Sequence, residues 1–244
     1  MSVLIFAFLA LLAEILGTVG GFGSSVFFVP LAGYFFDIKT VLGITAIFHV
    51  FSNLSKLVMF YKTIDWKLTL LFGIPSILFV ILGAWLTTVV SFKYTEMILA
   101  VFLTLFSLLL LWKSDLKLPN TKPAGIISGS VAGFLAGFTG TGGAIRGLAL
   151  SAYNLEKSLF VGTSAAIDMG VDLSRAIIYS ENGYVNRENY MLIVVLAVVS
   201  VVGSYIGKLI IERISQERFR NLVLALIGIV GGATLVKSLY DFKL

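Results

Sequence analysis

Two trios of polar residues stand inside apolar stretches of the chain. His49, Asn53 and Lys56 are spaced by four and then three residues, and Asp168, Asp172 and Arg175 repeat that spacing. On a helix this spacing places each trio on one face, and Thr45 and Ser164 lengthen the two stripes by a turn. Ionisable residues at membrane depth face a bundle interior or a cavity and mark a pathway. The alternative is a structural network, with Asp172 paired to Arg175 inside one helix and the stripes gluing two segments together. Asp168 and Asp172 are like charges four residues apart, an arrangement that favours one shared proton. With His49 they are the candidates for proton coupling. Lys56 and Arg175 fall near the ends of their segments, from where long side chains can snorkel.

Arg146 follows a run of small residues, Thr139, Gly140, Thr141, Gly142 and Gly143. A similar run, Gly17 to Ser25, contains Thr18, Gly20, Gly21, Gly23, Ser24 and Ser25. Each run interrupts an apolar stretch too long for one span. A helix broken there aims free N–H groups and its positive dipole end at the gap, which favours an anion. A guanidinium beside such groups can hold an oxyanion by two parallel hydrogen bonds. These small and hydroxyl residues, with Asn53, Lys56, Arg146 and Arg175, are the candidate substrate ligands. Bland readings stand beside that one: Arg146 pairs with Asp168 or Asp172, the glycines are close-packing positions, and the hydroxyls cap half-helices. Glu14 has Phe134 at the matching place in the other run. It is left open as a proton carrier, a partner for a buried base or a segment-end residue.

The elements that must position these residues are apolar spans. Of 244 residues, 58% are hydrophobic and 13% charged, and mean hydropathy is +1.01. That charge is about half the ~25% of a soluble domain, so a soluble globular fold and a disordered chain are both excluded. Spans of about 20 residues are expected near 40–61, 66–90, 94–112, 158–180, 189–211 and 218–239. The stretches 3–36 and 124–153 carry the glycine breaks. Glu14 interrupts the apolar start and no Lys or Arg precedes Lys39, so the start reads as a retained first membrane segment rather than a cleaved signal.

The two halves match. Gly17, Gly20 and Gly23 correspond to Gly137, Gly140 and Gly143 at a shift of 120, and the stripes correspond at a shift of 119. The expected organisation is a first membrane repeat over 1–112, a linker over 113–123 and a second repeat over 124–244. The fold class is therefore an all-α integral membrane protein, a multi-pass helical bundle of two tandem repeats. Each repeat opens with a Gly-broken helix or a re-entrant hairpin. Paired, interrupted segments of this kind point to a transporter's binding site. With hairpins, loop Lys and Arg divide 10 against 5 between the two sides, whereas full crossings give 7 against 8. The positive-inside rule thus favours hairpins and inverted repeats. Trp66 and Trp112 fall at segment ends, as interfacial anchors do.

Other chemistry is disfavoured. The chain has no cysteine and one histidine, so neither a metal site nor another cofactor is expected. Motifs placing a nucleophile beside a base are absent, and the protein is not expected to be an enzyme. The net charge of +5 is scattered singly, without the basic stripe of a nucleic-acid binder. The expected partners are a small anionic substrate and the lipid bilayer; the oligomeric state, homo-oligomer included, is left open. An anion channel and a cation carrier using Asp168 and Asp172 remain alternatives.

The segments GTVGGFGSSVFFVP, GITAIFHVFSNLSKLVMF and GFTGTGGAIRGLALSAYNLEKSLFVGTSAAIDMGVDLSRAIIY resemble the TauE/SafE sulfite exporter (TSUP) family over essentially the whole chain. The resemblance implies a multi-pass carrier in the cell's inner membrane, moving sulfite, thiosulfate or an organosulfonate and tied to the proton gradient. Many family members have a first run richer in glycine than this one, which Phe22 interrupts.

Overall fold

The structure is a computed structural model that describes residues 3–21, 23–112, 118–215, 217, 218 and 225. Positions 113–117 of the linker and the segment expected at 218–239 lie outside the described residues, apart from 218 and 225. Within them the chain forms α1 (Val3–Gly20), α2 (Ser25–Ala32), α3 (Ile38–Phe60), α4 (Trp66–Val89), α5 (Phe92–Trp112), α6 (Lys122–Thr139), α7 (Gly143–Ser151), α8 (Lys157–Glu181) and α9 (Tyr190–Arg213). Four of these, α1, α3, α4 and α9, are long and apolar enough to cross a membrane.

Polar caps set where the long helices begin. Asp37 accepts from the Thr40 amide before α3, and Asp65 accepts from the Lys67 and Leu68 amides before α4. Thr121 accepts from the Ala124 amide before α6, and Glu156 accepts from the Ser158 and Leu159 amides before α8. Each cap satisfies N–H groups that the first helical turn leaves unpaired.

The short helices α2 and α7 fold back along the helices before them. Gly17 in α1 lies against the backbone of Ser24. Further down, Phe6 meets Phe35 and Phe36 edge-on, with ring centroids 5.8 and 5.3 Å apart. Likewise Gly142 lies against Ala132 of α6, and the Tyr153 hydroxyl returns to the carbonyl of Thr121 at 3.4 Å. Gly21, Gly23 and Gly140 make the reversals at φ of +71°, +87° and +82°, a region that residues with a Cβ rarely enter.

The long helices pack in matched pairs: α1 beside α9, α4 beside α6, and α3 across α8. α3 and α8 run antiparallel. Thr63, just beyond α3, donates to the carbonyl of Ser158 near the start of α8 (3.2 Å), and Asn53 meets Asp172 in the middle (2.7 Å). At the far end Gly43 lies against Tyr184, just beyond α8. The α4–α6 contact is a run of glycines, Gly125, Gly129, Gly133 and Gly137, on one face of α6, the small-residue packing that lets helices approach closely in lipid. A Cβ on Gly133 would sit 2.2 Å from the Ser76 carbonyl oxygen. Gly133→Ala is expected to part the two helices and lower stability by about 1–3 kcal/mol, read by thermal unfolding in detergent.

Candidate functional site

The two reversals meet inside the bundle. The Thr141 hydroxyl of the second reaches the Ser25 hydroxyl at the start of α2, 3.4 Å away. Neither α2 nor α7 has a side-chain cap: Ser24 turns its hydroxyl elsewhere, and Gly142 has none to offer. Two half-helix N-termini therefore open onto the same small cavity with their first amides uncapped by side chains. The cavity is lined by Gly23, Ser24 and Ser25 from the first reversal and by Gly142, Gly143 and Arg146 from the second. Between them stand His49, Ser52, Asn53 and Lys56 of α3 and Asp168 and Asp172 of α8. Its volume is about 10 Å³, room for roughly one water.

Six charged side chains stand on the cavity walls or directly behind them as three buried pairs. Lys56 Nζ is 2.9 Å from Glu14 Oε1, Arg175 Nη2 is 2.7 Å from Asp172 Oδ1, and Arg146 Nη2 bonds Asp168. Three cations face three anions, so the formal charges of the group cancel. Charges at this depth are tolerated only when paired in this way. Lys56 and Arg175 do not snorkel. Both point inward and are 4% and 1% exposed, because their carboxylate partners lie in the core.

The second trio is tightly fixed. Arg175 donates through Nε to Asp172 (2.7 Å) and through Nη1 to the carbonyls of Gly140 (2.8 Å) and Ala136 (3.2 Å), which ties α8 to the second reversal. Asn53 donates to the other oxygen of Asp172. Arg175 Nη2 also lies 3.1 Å from His49 Nδ1. A guanidinium only donates, so Nδ1 accepts and the hydrogen of a neutral imidazole sits on Nε2. That nitrogen is 2.9 Å from Ser24 Oγ, whose own hydrogen goes to Glu14 Oε2 at 2.6 Å. One chain of contacts thus runs from Asp172 through Arg175, His49 and Ser24 to Glu14.

The remaining candidates fall into place around this centre. Thr18 donates to Glu14. Thr18, Gly21, Gly23, Asn53, Lys56, Ser164 and Asp168 line a second cavity of about 10 Å³. Thr139 donates back to the carbonyls of Leu135 and Thr141 and closes the end of α6. Gly20 ends α1 and Gly140 caps α6. Three participants carried no motif: Ser52, Ser204 and Tyr179. Ser52 and Ser204 both donate to Glu14, and Tyr179 bonds the Gly137 carbonyl. Ser52 stands three residues after His49 and four before Lys56, so the helical stripe could have included it. Ser204 approaches from α9, 190 residues from Glu14, with no local signal.

The family model for the sulfite exporter TauE/SafE matches residues 6–234. The chain belongs to the TauE/SafE sulfite exporter family. Searches of curated proteins and of solved structures returned no match. TauE/SafE membership makes the chain a membrane transporter protein of the sulfite-exporter type, and the apolar helices around the cavity fit that placement. Among the described residues no group of three or more His, Asp or Glu could hold a metal ion.

Proposed function

We propose that the protein is a secondary transporter of a small sulfur-containing oxyanion: sulfite, thiosulfate or an organosulfonate. The carrying observation is that two half-helix N-termini without side-chain caps open onto one buried, charge-paired cavity. Free amides and the positive ends of helix dipoles suit an anion. Arg146 adds a planar fork of donors matched to two oxyanion oxygens. The anion sits between the reversals, held by amides at Gly23–Ser25 and Gly142–Gly143, by Arg146 and by Lys56. Arg175, bound to two carbonyls, Asp172 and His49, contributes positive field from a fixed place.

The packing supports a reading as two inverted repeats with alternating access. α3 and α8 are equivalent elements of the two halves, and they run antiparallel. Gly83 packs on the Phe134 carbonyl where Gly203 packs on Glu14, and both members of each pairing correspond at a shift of 120. A two-fold axis in the membrane plane relates elements in this manner, and rocking one half against the other exposes the central site to each side in turn. The hairpin arrangement gathers Lys62, Lys67, Lys122 and Lys157 at one end, the cytoplasmic end of an inner-membrane protein by the positive-inside rule.

An anion adds negative charge to a neutral buried site, so a proton travelling with it is the natural compensation. Asp168, Asp172 and His49 are the groups placed to take it. A cation carrier is less well supported, because each aspartate already holds a guanidinium where a cation would bind. The test is exchange of labelled sulfite by the purified protein in liposomes. Saturable exchange that an imposed pH gradient accelerates is expected. Conductance without saturation would favour a channel, and labelled sodium flux in place of sulfite would overturn the anion reading.

A further inference from the structure

Glu14 is the most fully enclosed acid of the site, and more donors surround it than a carboxylate can use. Oε1 faces Ser52 Oγ at 2.6 Å, Ser204 Oγ at 2.9 Å, Lys56 Nζ at 2.9 Å and Thr18 Oγ1 at 3.0 Å, while Oε2 takes Ser24 Oγ at 2.6 Å. A carboxylate offers about four lone-pair sites in all. Oε1 alone faces three hydroxyls and the ammonium, more donors than its own two sites, and with Ser24 on Oε2 the four hydroxyls can hold the charge. The fifth donor, Lys56, can leave without stranding the carboxylate.

Lys56 is also placed to leave. It lies on the walls of both cavities, and its contacts are Glu14 and the Ser52 hydroxyl at 2.7 Å. Its counterpart in the other half, Arg175, is instead anchored by an aspartate, two carbonyls and His49. The nest stands beside the first reversal and has no counterpart beside the second. At the shifts of 120 and 119 that relate the halves, Glu14, Thr18, Ser24, Ser52 and Ser204 correspond to Phe134, Phe138, Ala144, Val171 and Ala84. Five polar residues on four elements replace five apolar ones together.

We infer that the Glu14 nest is a parking site for Lys56, and that the transported oxyanion binds by drawing the Lys56 ammonium off Glu14. No bond is made and no proton moves in this step. The ammonium exchanges one anionic partner for another, and Glu14 stays ionised on its four hydroxyls. The empty site is kept neutral, and an arriving anion must outcompete a carboxylate for the lysine. Oxyanions that also engage Arg146 and the helix amides meet that demand, whereas a halide gains less from the same groups. Apparent affinity is lowered by the small fraction of molecules in which Lys56 is already free.

The inference rests on the anion-transporter reading, and the test separates the two. Sulfite binding, read as ligand-induced thermal shift, and sulfite exchange in liposomes are measured for the full chain, Glu14→Gln and the double variant Glu14→Gln/Lys56→Met. Glu14→Gln is expected to bind sulfite about tenfold tighter, because the parked state is lost, and to exchange it more slowly. The double variant is expected to melt near the unsubstituted protein, with the pair removed as a unit, yet to lose most of its sulfite affinity. A purely structural ion pair predicts that the double variant binds sulfite normally, and that result overturns the inference. Weaker sulfite binding by folded Glu14→Gln overturns it too. If Glu14→Gln does not fold, the double variant decides. Folded unsubstituted protein that binds no sulfite brings down the transporter reading itself, and this inference with it.

Discussion

Arg146→Ala is expected to reduce sulfite exchange to the rate of protein-free liposomes. Arg146 sits in the first turn of α7, the only base of the site carried by a half-helix, and its partner Asp168 lines both cavities. The substitution alone confounds two effects, because it leaves Asp168 buried without its counter-charge, a loss of about 3–5 kcal/mol. Arg146→Ala/Asp168→Asn removes the pair as a unit. The double variant is expected to regain most of the thermal stability and none of the exchange. Native exchange by the double variant would reduce Arg146 to a structural partner. Asp168→Asn alone keeps the guanidinium and removes one proton acceptor. It is expected to bind sulfite and to lose the acceleration by a pH gradient.

The second large effect is on folding. A Cβ at Gly142 would stand 1.9 Å from the Ala132 carbonyl oxygen, 2.8 Å from its carbon and 3.1 Å from the Ala136 side chain. The obstacle is helix backbone, which cannot step aside without breaking the α6 hydrogen-bond ladder. Gly142→Ala therefore forces α7 off α6 and carries Gly143 and Arg146 away from the cavity. A loss of about 4 kcal/mol or more is expected, seen as failure to recover monodisperse protein in detergent. Gly73→Ala is the control. Nothing lies within 4 Å of a Cβ there, and an alanine in a helix interior gains up to about 1 kcal/mol over glycine. Equal behaviour of the two variants would mean that the reversal does not pack as described.

The sequence made the trios, the two glycine runs and the long helices legible because each obeys a local rule: a spacing of three or four, a break in an apolar run, a length near 20. The expected spans 40–61, 66–90, 94–112, 158–180 and 189–211 lie close to the bounds of α3, α4, α5, α8 and α9. Residue type alone could not settle which charge meets which. Arg146 had Asp168 and Asp172 equally near on the α8 stripe, and α8 presents Asp168 to it. Glu14 looked isolated because its partners Ser52 and Ser204 lie 38 and 190 residues away and no periodicity links them. Tyr184 gave no signal either. It packs parallel to Tyr179 at 5.1 Å and bonds Thr87 at 2.9 Å, and so locks the far end of α8 onto α4. Antiparallel packing of α3 against α8 was suggested in sequence only by loop charges, a statistic of the surroundings rather than of the helices themselves.

The one-sided nest around Glu14 bears on energetics as well as on ligands. Under the two-fold relation proposed above, two identical halves would make the inward- and outward-open forms equal in free energy, and the protein would idle evenly between them. Five buried polar groups beside the first reversal, with phenylalanine, valine and alanine at the matching places beside the second, would remove that degeneracy. Of the two forms proposed, whichever compressed the nest would be disfavoured at rest, before any gradient acts. On that proposal the molecule has a built-in resting side, and the substrate's grip on Lys56 is what would shift it.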